Sequence, residues 1–395
     1  MEYVGRTNKH PENAMIKSDD IVTNARAMSG IDDVISQRTL ENLDRYLKAV
    51  NAEARLSEAG EAGIRQTLTG ALYNRLRVER YAAEHPEVLE AQIERPMFLF
   101  GFPRTGTTLA VNLIDCDPAR RGYHRWEAED PIPPVKAGAV RTDPRYFAKQ
   151  AALEEEARLM PQIAAIHYED ADSVTECQLS MLQDFCSHML ESVTEVPSWR
   201  AWFLQTSYLP TFRYHKRLLQ VMQAEQKGRW LLKNPWHALF LDDLTTVYPD
   251  AQLVMTHRDP VEVVGSFCSL VKTFRGLFSN DIDLKNIAET TVDIFQRMYR
   301  GALAYKAKHG EESIYDLQYD ALMRDPIGEI RKLYRHFDEP FARAAEEAMK
   351  TFLGKNPQAK HGRHVYSLEE YGLTPEYVRA QFADYCRVFK VPEVA

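Results

Sequence analysis

Cysteine is sparse in this chain: five in 395 residues, at 116, 177, 186, 268 and 386, with no C-x-x-C pair among them. An odd, scattered set argues against a disulfide framework and against zinc-type ligand spacing, and it fits reduced thiols in a cytoplasmic protein. Long apolar runs are missing too. No uninterrupted stretch approaches the roughly 18 residues of a membrane helix, so no integral membrane segment is expected. The first thirty residues hold no apolar core of the length a signal peptide needs. Basic residues are in deficit, with 49 Lys and Arg against 57 Asp and Glu and a formal net charge of −8. That balance speaks against nucleic-acid or anionic-membrane binding, though it leaves room for a local basic pocket around a small anion. Internal repeats and low-complexity tracts do not occur.

What is present is ordinary globular material, 45% apolar and 27% charged, long enough for one large α/β domain with insertions or for two smaller ones. Residues 1–18 are polar and expected to be loosely held. From Asp19 to about Glu94 apolar residues recur at three- and four-residue spacing, as in LENLDRYLKAVNAEARL and IRQTLTGALYNRLRVERYAAEH. This predicts a helical N-terminal lead-in over 1–94, packed on a main domain that spans 95–395.

At Arg95 the period changes. PMFLF is a short continuous apolar run leading into GFPRTGTT at 101–108, and TLAVNLIDCD after it reads as a helix. RWLLKNP (229–235), AQLVMTHRDP (251–260) and SIYDLQY (313–319) are runs of the same kind. Such runs between helical segments predict a parallel sheet buried on both faces. The fold class is therefore α/β, a P-loop-type parallel sheet flanked by helices, with the helical lead-in and a large helical insertion over about 135–228. An insertion of that size is expected over the carboxyl ends of the strands, where α/β sheets bind ligands.

GFPRTGTT is close to the nucleotide-binding pattern G-x-x-x-x-G-K-[ST], with its two glycines five apart, but Thr107 stands where the lysine belongs. A triphosphate loop without its lysine loses the main cation acting on the β- and γ-phosphates. It remains a good anion site. Backbone N–H groups from Thr105 through Gly106 and Thr107 to Thr108 lie at a helix N-terminus, the two later threonines add hydroxyl donors, and Arg104 offers a forked guanidinium. That set suits one phosphate bearing an attached anionic group better than a magnesium-bridged triphosphate.

A second anion site is readable in RDPVEVVGS at 258–266. Arg258 leaves a strand at its carboxyl end, Asp-Pro turns the chain, and Ser266 follows about two helical turns on. The two together can hold another phosphate; alone, a strand-end arginine in an ion pair would explain the segment equally well.

The pairing of PRTGTT with R-D-P-x-x-V-x-x-S resembles the sulfotransferases that use 3′-phosphoadenosine 5′-phosphosulfate (PAPS). YDALMRDP at 319–326 resembles the family's Y-E-x-x-x-x-x-P segment, and further segments resemble a bacterial branch of that family: HPE at 85–87, RWEAEDPIPP at 125–134, LLKNPWH at 231–237, THRDP at 256–260 and KHGRHVYSLEEYGL at 360–373. The resemblance covers most of the chain from about residue 30 to 390. Two departures stand out: the loop has Arg104 where eukaryotic cytosolic members have lysine, and Asn234 follows Lys233 where many relatives have serine.

The resemblance implies in-line transfer of a sulfuryl group from PAPS to a hydroxyl, less readily an amine, of a small or lipid-like acceptor, with release of 3′-phosphoadenosine 5′-phosphate (PAP). It gives Arg104, Thr105, Gly106, Thr107 and Thr108 the 5′-phosphosulfate, Arg258 and Ser266 the 3′-phosphate, and Tyr319 the adenine. Lys360 and Arg363 would belong to a closing loop, Lys233 would bear on the sulfuryl oxygens, and no metal is required. An alcohol acceptor needs a general base. His237, leaving a strand at the ligand edge, is the first candidate and Glu176 the rival, with His124 and His167 behind them. Trp199, Trp202, Phe203, Tyr208, Phe212 and Tyr214 are expected mostly in the core. A P-loop kinase and a non-catalytic PAP- or nucleotide-binding protein of the same fold are the alternatives; a homo-oligomer is compatible with the sequence.

Overall fold

A computed structural model describes residues 15–160, 169–356 and 366–392. Five parallel strands form one sheet: β1 (Met97–Gly101), β2 (Arg120–Gly122), β3 (Arg229–Lys233), β4 (Gln252–His257) and β5 (Tyr315–Gln318), in the order β2-β3-β1-β4-β5. The apolar runs named above correspond to β1, β3, β4 and β5. β1, β3 and β4 are continuous because both faces are covered: Phe98, Phe100, Leu232 and Met255 enter one core, while Met97, Leu99, Leu231 and Val254 enter another on the opposite face, joined there by Leu317 of the edge strand β5. The chain builds β2 and β3 on one side of β1, then crosses to β4 and β5 on the other. The crossover puts the ligand crevice at the carboxyl end of β1.

The sequence reading missed β2. Arg-Arg-Gly does not look like a buried strand, yet all three residues are buried. Arg121 donates to Glu127 at 2.8 Å and lies over the Trp230 ring, and Arg120 donates to Gln252 at 3.1 Å, so pairing makes their burial tolerable.

The lead-in region contains three long helices, α1 (Ser18–Ser29), α2 (Gln37–Glu53) and α3 (Glu58–Glu84). α2 and α3 pack on helices from the stretch between β2 and β3, α1 packs on α3, and one buried carboxylate joins the two layers. Asp184 accepts from Arg75 and Arg38 of the lead-in, both at 3.1 Å, and from Thr211 at 2.7 Å. The N-terminus of α3 abuts the helix Pro260–Phe278, where Ser57 N–H donates to the Phe278 carbonyl at 2.9 Å. A Cβ on Gly60 would sit 1.9 Å from that carbonyl oxygen, so the close approach requires glycine. The expected core aromatics Trp199, Phe203, Tyr208, Phe212 and Tyr214 are all buried.

Candidate active site

The chain leaving the carboxyl ends of β1, β3, β4 and β5 surrounds a cavity of about 450 Å³. The loop after β1 supplies Pro103, Arg104, Gly106, Thr107 and Thr108, β4 leads to Arg258, and β5 to Tyr319. Arg104 and Gly106 both have left-handed backbones, with φ of 70° and 87°. They curl the loop into the start of helix α4 (Thr107–Ile114), for which Gly106 is the N-cap. The first amides of that helix have no intrahelical acceptor. A Cβ on Gly106 would lie 3.0 Å from the Tyr319 ring, so β5 closes this cradle from behind.

Arg258 is fixed from three directions. Its Nε donates to Glu262 at 2.6 Å, one Nη donates to the Arg104 carbonyl at 3.0 Å, and its guanidinium lies 4.1 Å from the centre of the Tyr319 ring. The two arginines that were far apart in the sequence therefore meet at one end of one cavity. Burial, and after it the nearby Arg258, lowers the pKa of Arg104 from its ordinary value. An anion bound between the two would offset both costs.

The same cavity is lined by a polar group from the region between β2 and β3. Cys177 N–H donates to the Lys233 carbonyl at 2.8 Å, and Glu176 bridges to the same residue, which holds Glu176 beside the end of β3. Glu176 lines the cavity, and its carboxylate accepts from the Gln178 amide. Gln178 in turn accepts from the Trp236 indole at 3.0 Å. Glu169 lines the same side, receiving Thr175 at 2.9 Å, Arg125 at 3.2 Å and Lys233 at 3.4 Å. Much of the remaining wall is apolar, with Phe267, Leu270, Val271 and Phe274 of the 260–278 helix and Leu179, Met189 and Val193, while Glu156 and Ser192 add polar groups. Among the described residues that line the cavity, none comes from the lead-in helices.

Several sequence candidates lie elsewhere than expected. His237 sits in the tight turn Pro235–Leu239, whose Trp236 faces the cavity while His237 faces the core. Only 1% exposed, it packs edge-on to Phe98 and beside Phe212, and neither ring nitrogen has a hydrogen-bond partner among the described residues. Burial, followed by His215, lowers its pKa well below the usual histidine range. Thr105 directs its hydroxyl away from the cavity, to the Phe102 carbonyl and the Thr256 hydroxyl, both at 2.6 Å. It anchors the loop to β4. Tyr319 does line the cavity, with Arg258 against its ring, whereas Lys233, 1% exposed, is held by Glu169.

Ser266 is buried along the 260–278 helix and is not among the residues lining the cavity. His124 is enclosed between Asp115 and Glu127, each at 3.1 Å; burial opposes its charge, but the two carboxylates outweigh it and raise its pKa to about 9. Lys360, Arg363 and His167 lie outside the described residues. The sequence reading had missed Gln178, Glu169 and Arg125. Their signal was weak, a polar residue two places from Glu176 and an acid–base pair distant in the chain.

The chain belongs to the sulfotransferase family, whose profile matches residues 96–343. It is similar to the sulfotransferase STF9 of Mycobacterium avium, with 32% identity, a TM-score of 0.90 and coverage of 97% of this chain and 99% of that one. STF1 of Mycobacterium tuberculosis H37Rv is also 32% identical, with a TM-score of 0.85 and coverage of 94% and 99%. A curated relative, the omega-hydroxy-beta-dihydromenaquinone-9 sulfotransferase Stf3 of Mycobacterium bovis, is 22% identical over 294 residues, 71% of this chain and 72% of that protein. Among the described residues no helix is long and apolar enough to cross a membrane.

Proposed function

We propose that the protein transfers the sulfuryl group of PAPS to a hydroxyl on a small or lipid-like acceptor. The observation that carries this reading is the contact between Arg104 and Arg258, which makes one two-centred anion site in a cavity that the carboxylate of Glu176 also lines. PAPS supplies the activated sulfuryl group. The amides of Gly106, Thr107 and Thr108 and the Arg104 guanidinium hold the 5′ end and stabilise charge on the leaving phosphate. Arg258 takes the 3′-phosphate. Transfer needs little covalent participation by the protein, so alignment and charge stabilisation dominate.

Glu176 is the proposed base, in place of His237. It lines the cavity and is held by Gln178, whereas His237 is sealed among aromatic rings on the other side of the turn. A base must come within reach of the proton it takes. The apolar wall of the 260–278 helix favours an acceptor with a hydrocarbon body, and the lipid-like acceptor in the name of the relative Stf3 is consistent with that.

The test is thermal stability during titration with PAP and, separately, with ATP and magnesium. Stabilisation by PAP that disappears in Arg258→Ala is expected; stabilisation by ATP–magnesium alone would indicate a kinase instead. A radiolabelled-PAPS screen against lipid and aqueous extracts then identifies the acceptor. PAP binding with no labelled product from any extract would favour a non-catalytic nucleotide-binding protein.

A further inference from the structure

Resting on the proposed function, we infer that Glu262 is a specificity-determining residue: it weakens the hold of Arg258 on the 3′-phosphate and so sets how readily the spent nucleotide leaves. Glu262 lies one turn beyond Arg258, and its carboxylate accepts the Arg258 Nε at 2.6 Å. The side chains are 24% and 32% exposed for Arg258 and Glu262, so a ligand at Arg258 also meets the field of the acid.

The turn carrying Glu262 is well fixed. Asp259 caps the helix through Val261 N–H at 2.8 Å, and Pro260 occupies its first turn. The Tyr366 hydroxyl donates to the Glu262 carbonyl at 2.7 Å. The same ring covers Gly265, where a Cβ would sit 2.6 Å from it. The carboxylate is therefore a set feature of the site.

Arg104 and Arg258 meet at the loop after β1, and Arg125, the other arginine lining the cavity, is already paired with Glu129 and Glu169. The ligand proposed there carries anions at both its 3′ and 5′ positions. An acid on one of two cations removes attraction for donor and product alike, because both carry the 3′-phosphate. Uniform weakening of this kind raises KM and speeds release. The plainer role, an acid that favours a helix N-terminus, accounts for a small stability term and for no preference between nucleotides.

Glu262→Gln separates the two roles. The amide oxygen can still accept from Arg258 Nε, and glutamine suits the same helix position, but the charge is gone. By calorimetry, E262Q should bind PAP roughly three- to fivefold more tightly, the upper part of the range for a partly exposed charge pair. Affinity for adenosine 5′-phosphate, which lacks the 3′-phosphate, should change by less than about twofold. Unchanged or weaker PAP binding by E262Q, with wild-type binding and its loss in Arg258→Ala intact, overturns the role of Glu262 and leaves the function standing. Failure of the wild-type protein to bind PAP overturns both.

Discussion

Replacing His237 by leucine, a side chain of similar volume, tests whether this histidine is a core residue or a base. Burial holds His237 and His215 neutral in the folded chain, His237 well below its usual pKa and His215 at about 3. The unfolded chain takes up each proton near a pKa of about 6.5. The unfolded state then binds more protons as pH falls, so stability should decline below about pH 6.5. Between about pH 7 and about pH 5.5 each neutral histidine should contribute a loss of about 1.2 kcal/mol, from RT ln(1 + 10^(pKa − pH)) at the two pH values. His124 acts with the opposite sign. With its folded pKa raised to about 9, its contribution is fully present below the unfolded pKa and is lost as pH rises through 9. Comparing variant with wild type cancels this and the carboxylates. Urea unfolding followed by tryptophan fluorescence at both pH values should therefore show the acid-induced loss reduced by about 1.2 kcal/mol in His237→Leu. The variant should also keep PAP binding and turnover. An unreduced acid loss would show that His237 is not held neutral. A folded, PAP-binding variant without turnover would restore His237 as the base.

Glu176→Gln should lower kcat by about 10²- to 10⁴-fold while PAP affinity stays at the wild-type value, read by labelled-sulfate transfer alongside calorimetry; equal loss of both would mean a structural role. Gly106→Ala forces a Cβ into a left-handed residue 3.0 Å from the Tyr319 ring, so PAP affinity should fall by an amount near 1–2 kcal/mol, in order of magnitude. Asp184→Ala removes the carboxylate shared by Arg75, Arg38 and Thr211, while Arg75 keeps the Gln183 carbonyl and Glu79, and should cost about 2–3 kcal/mol in urea unfolding. A cost below about 1 kcal/mol would mean that the junction between lead-in and insertion does not depend on this ion pair.

Strands β1, β3 and β4 were legible because burial on both faces writes itself as continuous apolar sequence, whereas the edge strand β5 buries Leu317 alone. β2 was illegible because its burial depends on partners far along the chain, Glu127, Trp230 and Gln252. The same division runs through the site. GFPRTGTT and RDP each announce an anion-binding turn, since the residue types alone carry the donors and the bend. Thr105 looks like another donor until the register of β1 with β4, Gly101 opposite Thr256, brings the Thr256 hydroxyl within reach of its own.

By itself the sequence determined a parallel α/β sheet, a loop whose cation is Arg104 rather than a lysine, and a second arginine at a strand end. These are local properties, set by backbone turns, side-chain chemistry and the period of burial. The tertiary structure decided that Arg258 touches the Arg104 carbonyl, that Glu176 faces the cavity, and that His237 is sealed against Phe98. His237 and Glu176 each stand near a strand end or helix start in the chain, and nothing in their neighbours tells them apart. Which of them faces the cavity depends on a tight turn after β3 and on a loop paired to the end of that strand, and both are contacts between distant segments.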